Sequence, residues 1–221
     1  MSNGGHANGW GLYLDSIREH SHQLLAWGYA DARAQLHSDL DEPAITGLLC
    51  QAMQQRIYHA ETPDRYLNYA VHDQAPISPS GELGNDRLRL DVAVRRTGIR
   101  QEVVYTFEAK RLRTGSFTIG KYVGEGGMGD FVECRYAVGC PEAAMVGLWQ
   151  DKDLAYWRNQ LGKAHASDQT AASPKLGIAL DLVESAVIPD IPHEWESTHR
   201  RTDGSSIVLK HVFLDCCTIP A

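Results

Sequence analysis

The sequence predicts an α/β fold: a mixed central sheet flanked by helices, with helices at the N-terminal end and a β-hairpin near the C-terminal end. Three observations carry this. Two segments of helical period precede the first β-rich run, two β-rich runs flank Gly98, and an apolar run at 143–149 leads through a helical stretch into further strands. The 221 residues, 43% hydrophobic and 22% charged, suffice for one full core and not comfortably for two. The reading is therefore a flexible lead-in at 1–9, rich in Gly, Asn and Ser, and a single domain over 10–221 with its core at about 42–166.

Each element has its own signal. Leu12, Ile17, Leu24, Leu25 and Tyr29 recur at helical spacings, which predicts a helix from about Trp10. Asp39 and Asp41 stand just ahead of Pro43, and Ile45, Leu48, Leu49, Ala52, Met53 and Ile57 follow at helical period. That is a second helix with a start signal and proline in its first turn. Residues 66–73 read as extended and 77–87 as a loop. The β-rich runs 88–94 and 102–109, with Gly98 between them, form a hairpin. A short helix is expected at 131–137, a buried strand at 143–149 and a helix at 151–166. Strands follow at 176–183, 194–199 and 206–215, the last two joined by the Asp203-Gly204 turn.

Composition removes several functional classes. No apolar run approaches the ~20 residues of a membrane span, and the first residues lack the basic and apolar regions of a secretory signal, so a cytoplasmic protein is expected. Five cysteines (50, 134, 140, 216 and 217) with no CxxC pair support neither a disulfide framework nor a zinc knuckle. Six glycines crowd residues 115–129, yet neither GxxxxGK[ST] nor GxGxxG is expected there, so a nucleotide fold is set aside. Tyr122, Glu125 and Asp130 of this stretch are candidates to line the mouth of a site. The chain carries a net charge of −7, against a generally basic surface. The balance is uneven: residues 87–113 hold eight basic and three acidic side chains, a local +5 that leaves −12 for the rest. His199, Arg200 and Arg201 form a second basic turn.

Within the basic segment, Glu108-Ala109-Lys110 places a carboxylate and an ammonium on one face of a strand, with Asp91 on the strand before it. Two carboxylates on adjacent strands can hold a hard cation such as Mg²⁺, which prefers one or two carboxylates with waters and substrate phosphate oxygens. The cation lowers the pKa of water and polarises phosphorus, and a compact ammonium beside it stabilises developing negative charge. The chain has 28 acidic residues and six lysines, yet Glu108-Ala109-Lys110 is its single acidic-x-Lys triplet. With a turn at Gly98, Asp91 is expected opposite about Tyr105, so a longer or bulged turn is needed to bring Asp91 to Glu108.

Asp91, Glu108 and Lys110, on their hairpin between a helix and an αβ crossover, give the chain a pattern that resembles the PD-(D/E)xK superfamily. The likeness covers about 42–166 in architecture and three residues in motif; no proline precedes Asp91. The resemblance implies a restriction-endonuclease-like core and a Mg²⁺- or Mn²⁺-dependent endonuclease that hydrolyses DNA phosphodiesters, in bacterial restriction, antiphage defence, repair or mobile-element biology. It also implies that Glu42, on the first core helix, joins Asp91 and Glu108 as a metal ligand, that the carbonyl of Ala109 adds a further one, and that Lys110 assists the attacking water. Arg111, Arg113 and Lys121 are the expected nucleic-acid contacts. DNA, a partner protein and a second copy of the chain are the expected partners. The alternative is a non-catalytic or partner-activated subunit that keeps the fold.

Overall fold

The computed structural model describes residues 7–76, 89–98, 103–191 and 193–217. The lead-in before Ala7, the loop expected at 77–87, and the hairpin residues at 99–102 lie outside the described residues.

In chain order the elements are α1 (Ala7–Ala32), α2 (Glu42–Ile57), β1 (Tyr69–Pro76), β2 (Arg89–Arg96), β3 (Val103–Leu112), α3 (Ile119–Val123), α4 (Met128–Val132), β4 (Glu142–Trp149), α5 (Leu154–Gln169), β5 (Ile178–Glu184), β6 (Glu194–Arg200) and β7 (Ser206–Asp215). Short 3-10 turns at Arg33–Gln35 and Asp64–Asn68 follow the first two helices. α1 begins at Ala7, ahead of the Trp10 start that the periodicity suggests, and the short helix expected at 131–137 is instead α4. After α4 the backbone turns sharply, with positive φ at Cys134 (58°) and Ala137 (49°), so helical geometry cannot continue. No described helix is long and apolar enough to cross a membrane.

The seven strands form one mixed sheet in the order β1-β2-β3-β4-β7-β6-β5. β1, β2 and β3 are antiparallel neighbours; β3 runs parallel to β4, and β4 parallel to β7. The C-terminal hairpin β6–β7 belongs to the same sheet, with β7 paired to β4 over the whole length of β4. Its Ile207, Leu209, Val212, Phe213 and Leu214 are buried, so the core extends well past residue 166.

Strand alternation sends two sets of side chains to opposite faces. Tyr105, Phe107, Val146 and Val212 pack with Leu24, Leu25, Leu49 and Met53 of α1 and α2, while Met145, Leu209 and Phe213 pack with Tyr122, Phe131, Trp157 and Leu161 of α3, α4 and α5. α1 and α2 approach closely at Gly28, where a Cβ would lie 2.4 Å from Met53 Cγ. α2 starts where the sequence signals it: the Asp41 carboxylate accepts from the Ala44 N–H at 2.9 Å, and Pro43 sits in the first turn. This fixes Glu42 at the first helical position, where the helix dipole favours a carboxylate.

A polar chain crosses the second layer. Tyr122 Oη meets His211 Nδ1 at 3.0 Å, Ser197 Oγ lies 2.7 Å from His211 Nε2 and 2.6 Å from His199 Nε2, and His199 Nδ1 is 2.7 Å from the Leu176 carbonyl. That carbonyl only accepts, so His199 carries its proton on Nδ1 and takes the Ser197 hydroxyl proton bond on Nε2. His165, also buried, pairs through Nδ1 with Asp181 at 2.8 Å.

Candidate functional site

The β2–β3 ladder runs from Arg96↔Val103 to Val92↔Phe107. One further step in that register brings Asp91 level with Glu108, in place of the Tyr105 expected from a turn centred on Gly98. The ladder leaves all of 97–102 to make the connection, which is longer than a tight turn and shifts the register accordingly.

Beyond Phe107 the outer edge of β3 has no strand partner among the described residues, and side-chain carboxylates replace one. Asp91 Oδ2 accepts from the Ala109 N–H at 2.8 Å, and Glu42 Oε2 accepts from the Arg111 N–H at 2.9 Å. Backbone donors left dry are costly, and these charge-assisted bonds satisfy them while fixing both carboxylates.

Lys110 stands at the centre. Its ammonium donates to Glu108 Oε1 at 2.8 Å, to Glu42 Oε1 at 2.9 Å and to the Ala109 carbonyl at 2.7 Å, and lies 3.7 Å from Asp91 Oδ2. All three ammonium hydrogens are thereby used. Glu108 is 3% exposed, and its Oε2 is buried without a hydrogen-bond partner among the described residues. Burial, then the nearby Asp91 charge, pushes the Glu108 carboxyl well above the usual range, although Lys110 pulls the other way. Burial would lower the Lys110 pKa, but Glu108, Asp91 and Glu42 outweigh it and hold the ammonium charged. The two shifts share one cause: three carboxylates face one ammonium, so the cluster is short of positive charge.

Hard oxygen donors, one of them orphaned and buried, with uncompensated negative charge, fit Mg²⁺ or Mn²⁺ in their chemistry. Asp91, Glu108, Glu42 and the Ala109 carbonyl are the groups that would hold it. They are gathered around the ammonium, and among the described residues no three His, Cys, Asp or Glu side chains form a ready metal cage.

Two further residues border the centre. Gln74 Nε2 donates to Asp91 Oδ1 at 2.9 Å, from a backbone at φ 48° where the β1–β2 ladder passes from Asp73↔Val92 to Ala75↔Leu90. The left-handed conformation is unfavourable for glutamine, and nothing in the residue types of β1 announces it. The Tyr136 phenol, packed edge-on to Phe131, is pushed up by burial and then by the charges of Glu108 and Asp130.

The basic candidates stand differently. Arg111 lies with its guanidinium 4.2 Å from the Phe117 ring centroid and donates from Nε to Gln150 Oε1 at 2.8 Å. Arg113 donates to the Ser38 carbonyl at 3.3 Å, and Lys121 is exposed on α3. Tyr122 and Asp130 do not line a mouth by their side chains: Tyr122 is fully buried against His211, and Asp130 is held by the Gly126 N–H and Arg135. Glu125 is exposed. In the second basic turn, His199 and Arg201 are buried, with Arg201 donating to the Ala137 carbonyl at 2.9 Å, so only Arg200 of the three is exposed.

The glycine-rich stretch differs from the spacing expected of it. Gly124-Glu125-Gly126-Gly127-Met128-Gly129 does have GxGxxG spacing, and Gly115 to Lys121 matches GxxxxGK with Tyr122 in place of Ser or Thr. The first pattern runs from the end of the five-residue helix α3 into the five-residue helix α4, not between a strand and a long helix, which is the context a phosphate loop requires. Gly124, Gly127 and Gly129 serve close packing, with a Cβ on Gly124 lying 2.6 Å from the Gly120 carbonyl oxygen, while Gly126 takes a φ of 75° that favours glycine.

No protein-family model, no curated protein and no solved structure matches the chain.

Proposed function

We propose that the chain is a divalent-metal-dependent nuclease of the restriction-endonuclease-like type that hydrolyses DNA phosphodiesters at the split between β2 and β3. The observation that carries this reading is the partnerless, buried Oε2 of Glu108 in a cluster of three carboxylates around one ammonium. A purely structural ion cluster has no use for a buried carboxylate oxygen left unpaired by the described residues.

Asp91, Glu108, Glu42 and the Ala109 carbonyl would hold Mg²⁺ or Mn²⁺, which when bound supplies Lewis acidity toward phosphate oxygens and acidifies water. The chain's own contribution is order. The Ala109 and Arg111 N–H groups and Gln74 fix the orientation of Asp91 and Glu42, so the donors need little reorganisation when charge develops. Lys110 Nζ, once a divalent ion has taken its place among the carboxylates, would orient the attacking water and stabilise negative charge on the phosphate. Arg111 near the end of the site strand, with Arg113 and Lys121 beyond it, would supply positive charge toward the phosphate backbone.

The test is cleavage of supercoiled plasmid, linear duplex and single-stranded DNA with Mg²⁺, with Mn²⁺ and with chelator. Glu108→Gln and Lys110→Ala should each reduce cleavage by about 10²–10³ while the proteins stay folded. Wild-type rates in both variants would remove the reading, as would chelator-resistant cleavage.

A further inference from the structure

The Lys110 ammonium occupies the place to which all the candidate donors point. Its three hydrogens go to Glu108 Oε1, Glu42 Oε1 and the Ala109 carbonyl at 2.7–2.9 Å, with Asp91 Oδ2 at 3.7 Å. These are atoms of the same four groups that the proposed function assigns to the divalent ion. An ammonium has three donors and one charge, so it satisfies three oxygens and leaves the rest of the cluster short: the buried Glu108 Oε2 has no hydrogen-bond partner among the described residues. A divalent ion in the same cluster would use those oxygens and supply the missing charge, but it and the ammonium cannot share the place, because two cations at contact distance repel.

We infer that Lys110 is a resident counter-cation of this centre, competing with the divalent ion for the same oxygens, so that loading the site requires the ammonium to withdraw. The inference rests on the metal-dependent reading above and adds a regulatory property to it. The side chain that holds the carboxylates together without metal also sets the threshold at which metal enters. The lysine stem is flexible and the ammonium is bound only at its tip, so withdrawal needs rotamer changes and no movement of β3. Asp91 and Glu42 keep their backbone anchors at Ala109 and Arg111 throughout, so the donors do not scatter when the ammonium leaves.

The experiment is calorimetric titration of the full chain with Mn²⁺, without DNA. Lys110→Met, which keeps the stem and removes the charge, should bind Mn²⁺ about 10- to 100-fold more tightly than wild type. Lys110→Arg, which keeps a cation, should show no gain. Equal or weaker binding by Lys110→Met overturns the inference and leaves the metal site standing; no Mn²⁺ binding by wild type or by either variant overturns both. A measurement on the wild type alone guards against a variant that does not fold. The ¹H–¹⁵N signal of a lysine ammonium with all three hydrogens bonded should be slow to exchange, and should be lost as Mg²⁺ saturates the site. Its persistence at saturation overturns the inference.

Discussion

Asp91 takes the N–H of Ala109 at 2.8 Å where the next rung of the β2–β3 ladder would otherwise lie. One carboxylate therefore closes a strand edge and faces the Lys110 ammonium. Asp91→Ala leaves the buried N–H without an acceptor and should cost about 1–3 kcal/mol in urea unfolding. Asp91→Asn keeps an acceptor oxygen and should cost less, while losing cleavage just as completely. Equal stability of wild type and Asp91→Ala would mean that the edge is satisfied in another way.

Gln74 supports Asp91 from a backbone conformation that suits glycine better. Gln74→Gly and Gln74→Ala both remove the bond to Asp91, and both should weaken Mn²⁺ binding by about 10-fold. Their stabilities should separate: the glycine variant is expected to be about 1 kcal/mol more stable than the alanine variant, because φ 48° is strained for alanine. Thermal melts of the pair decide this, and an alanine variant as stable as the glycine one would show that the strain is absent.

If Arg111 and Arg113 meet phosphates, their double alanine variant should lower the slope of log affinity against log salt by about 1–2, with sequence preference unchanged. Arg111 also stacks on Phe117 and bonds Gln150, so some stability should be lost with it. Lys121→Ala, on an exposed side chain, isolates the electrostatic part: binding should weaken with no change in melting temperature. A salt slope equal to that of wild type in both proteins would place the contact surface elsewhere.

The buried histidines make stability fall in acid. Burial holds His199 at about 4 and keeps His211 well below the ordinary imidazole value. Histidines of the unfolded chain titrate near 6.5, so below that pH the unfolded state binds protons that the folded state refuses. The contribution of the neutral rings is complete above about pH 6.5 and is lost as pH falls towards 4. Glu108 has the opposite sign, since its raised carboxyl favours the folded state as pH falls. Denaturant midpoints between pH 8 and 5 measure the sum. His199→Asn, which keeps a donor for the Leu176 carbonyl, should reduce the slope between pH 6.5 and 5 by up to about 1.4 kcal/mol per pH unit. A slope unchanged from wild type would clear His199 of this role.

Glu108→Gln should show that opposite sign at neutral pH, where the substitution removes a charge that is buried and only half paired. The variant is expected to gain on the order of 1 kcal/mol in stability as it loses activity. A loss of stability would mean that the ion pair with Lys110 outweighs the burial.

Much of the architecture was legible because periodicity and breakers are local. Asp41 and Pro43 mark the start of α2, alternation marks β2 and β3, and Asp203-Gly204 marks the turn before β7. The central place of β7 was not legible, since its pairing with β4 depends on residues far apart in the chain. At the site, Asp91, Glu108 and Lys110 carry a pattern in their types and spacing. Gln74 does not: its bearing on Asp91 comes from one backbone angle at an irregular rung. The depth of His199 was missed for a related reason. A histidine beside two arginines reads as surface charge until the sheet shows that its alternate face meets α5.

The insertion of β7 between β4 and β6 governs the order in which the nascent chain matures. β3 and β4 leave the ribosome before α5, β5 and β6, so one side of β4 stays without its partner until Ser206 to Asp215 emerge. During that interval Ala144, Val146 and Leu148 sit on an open, apolar strand edge, the kind of template on which another chain can add. Closing such distant pairs is also slow. Chains halted before Ser206 therefore keep that apolar edge open, and with it a surface on which they can aggregate.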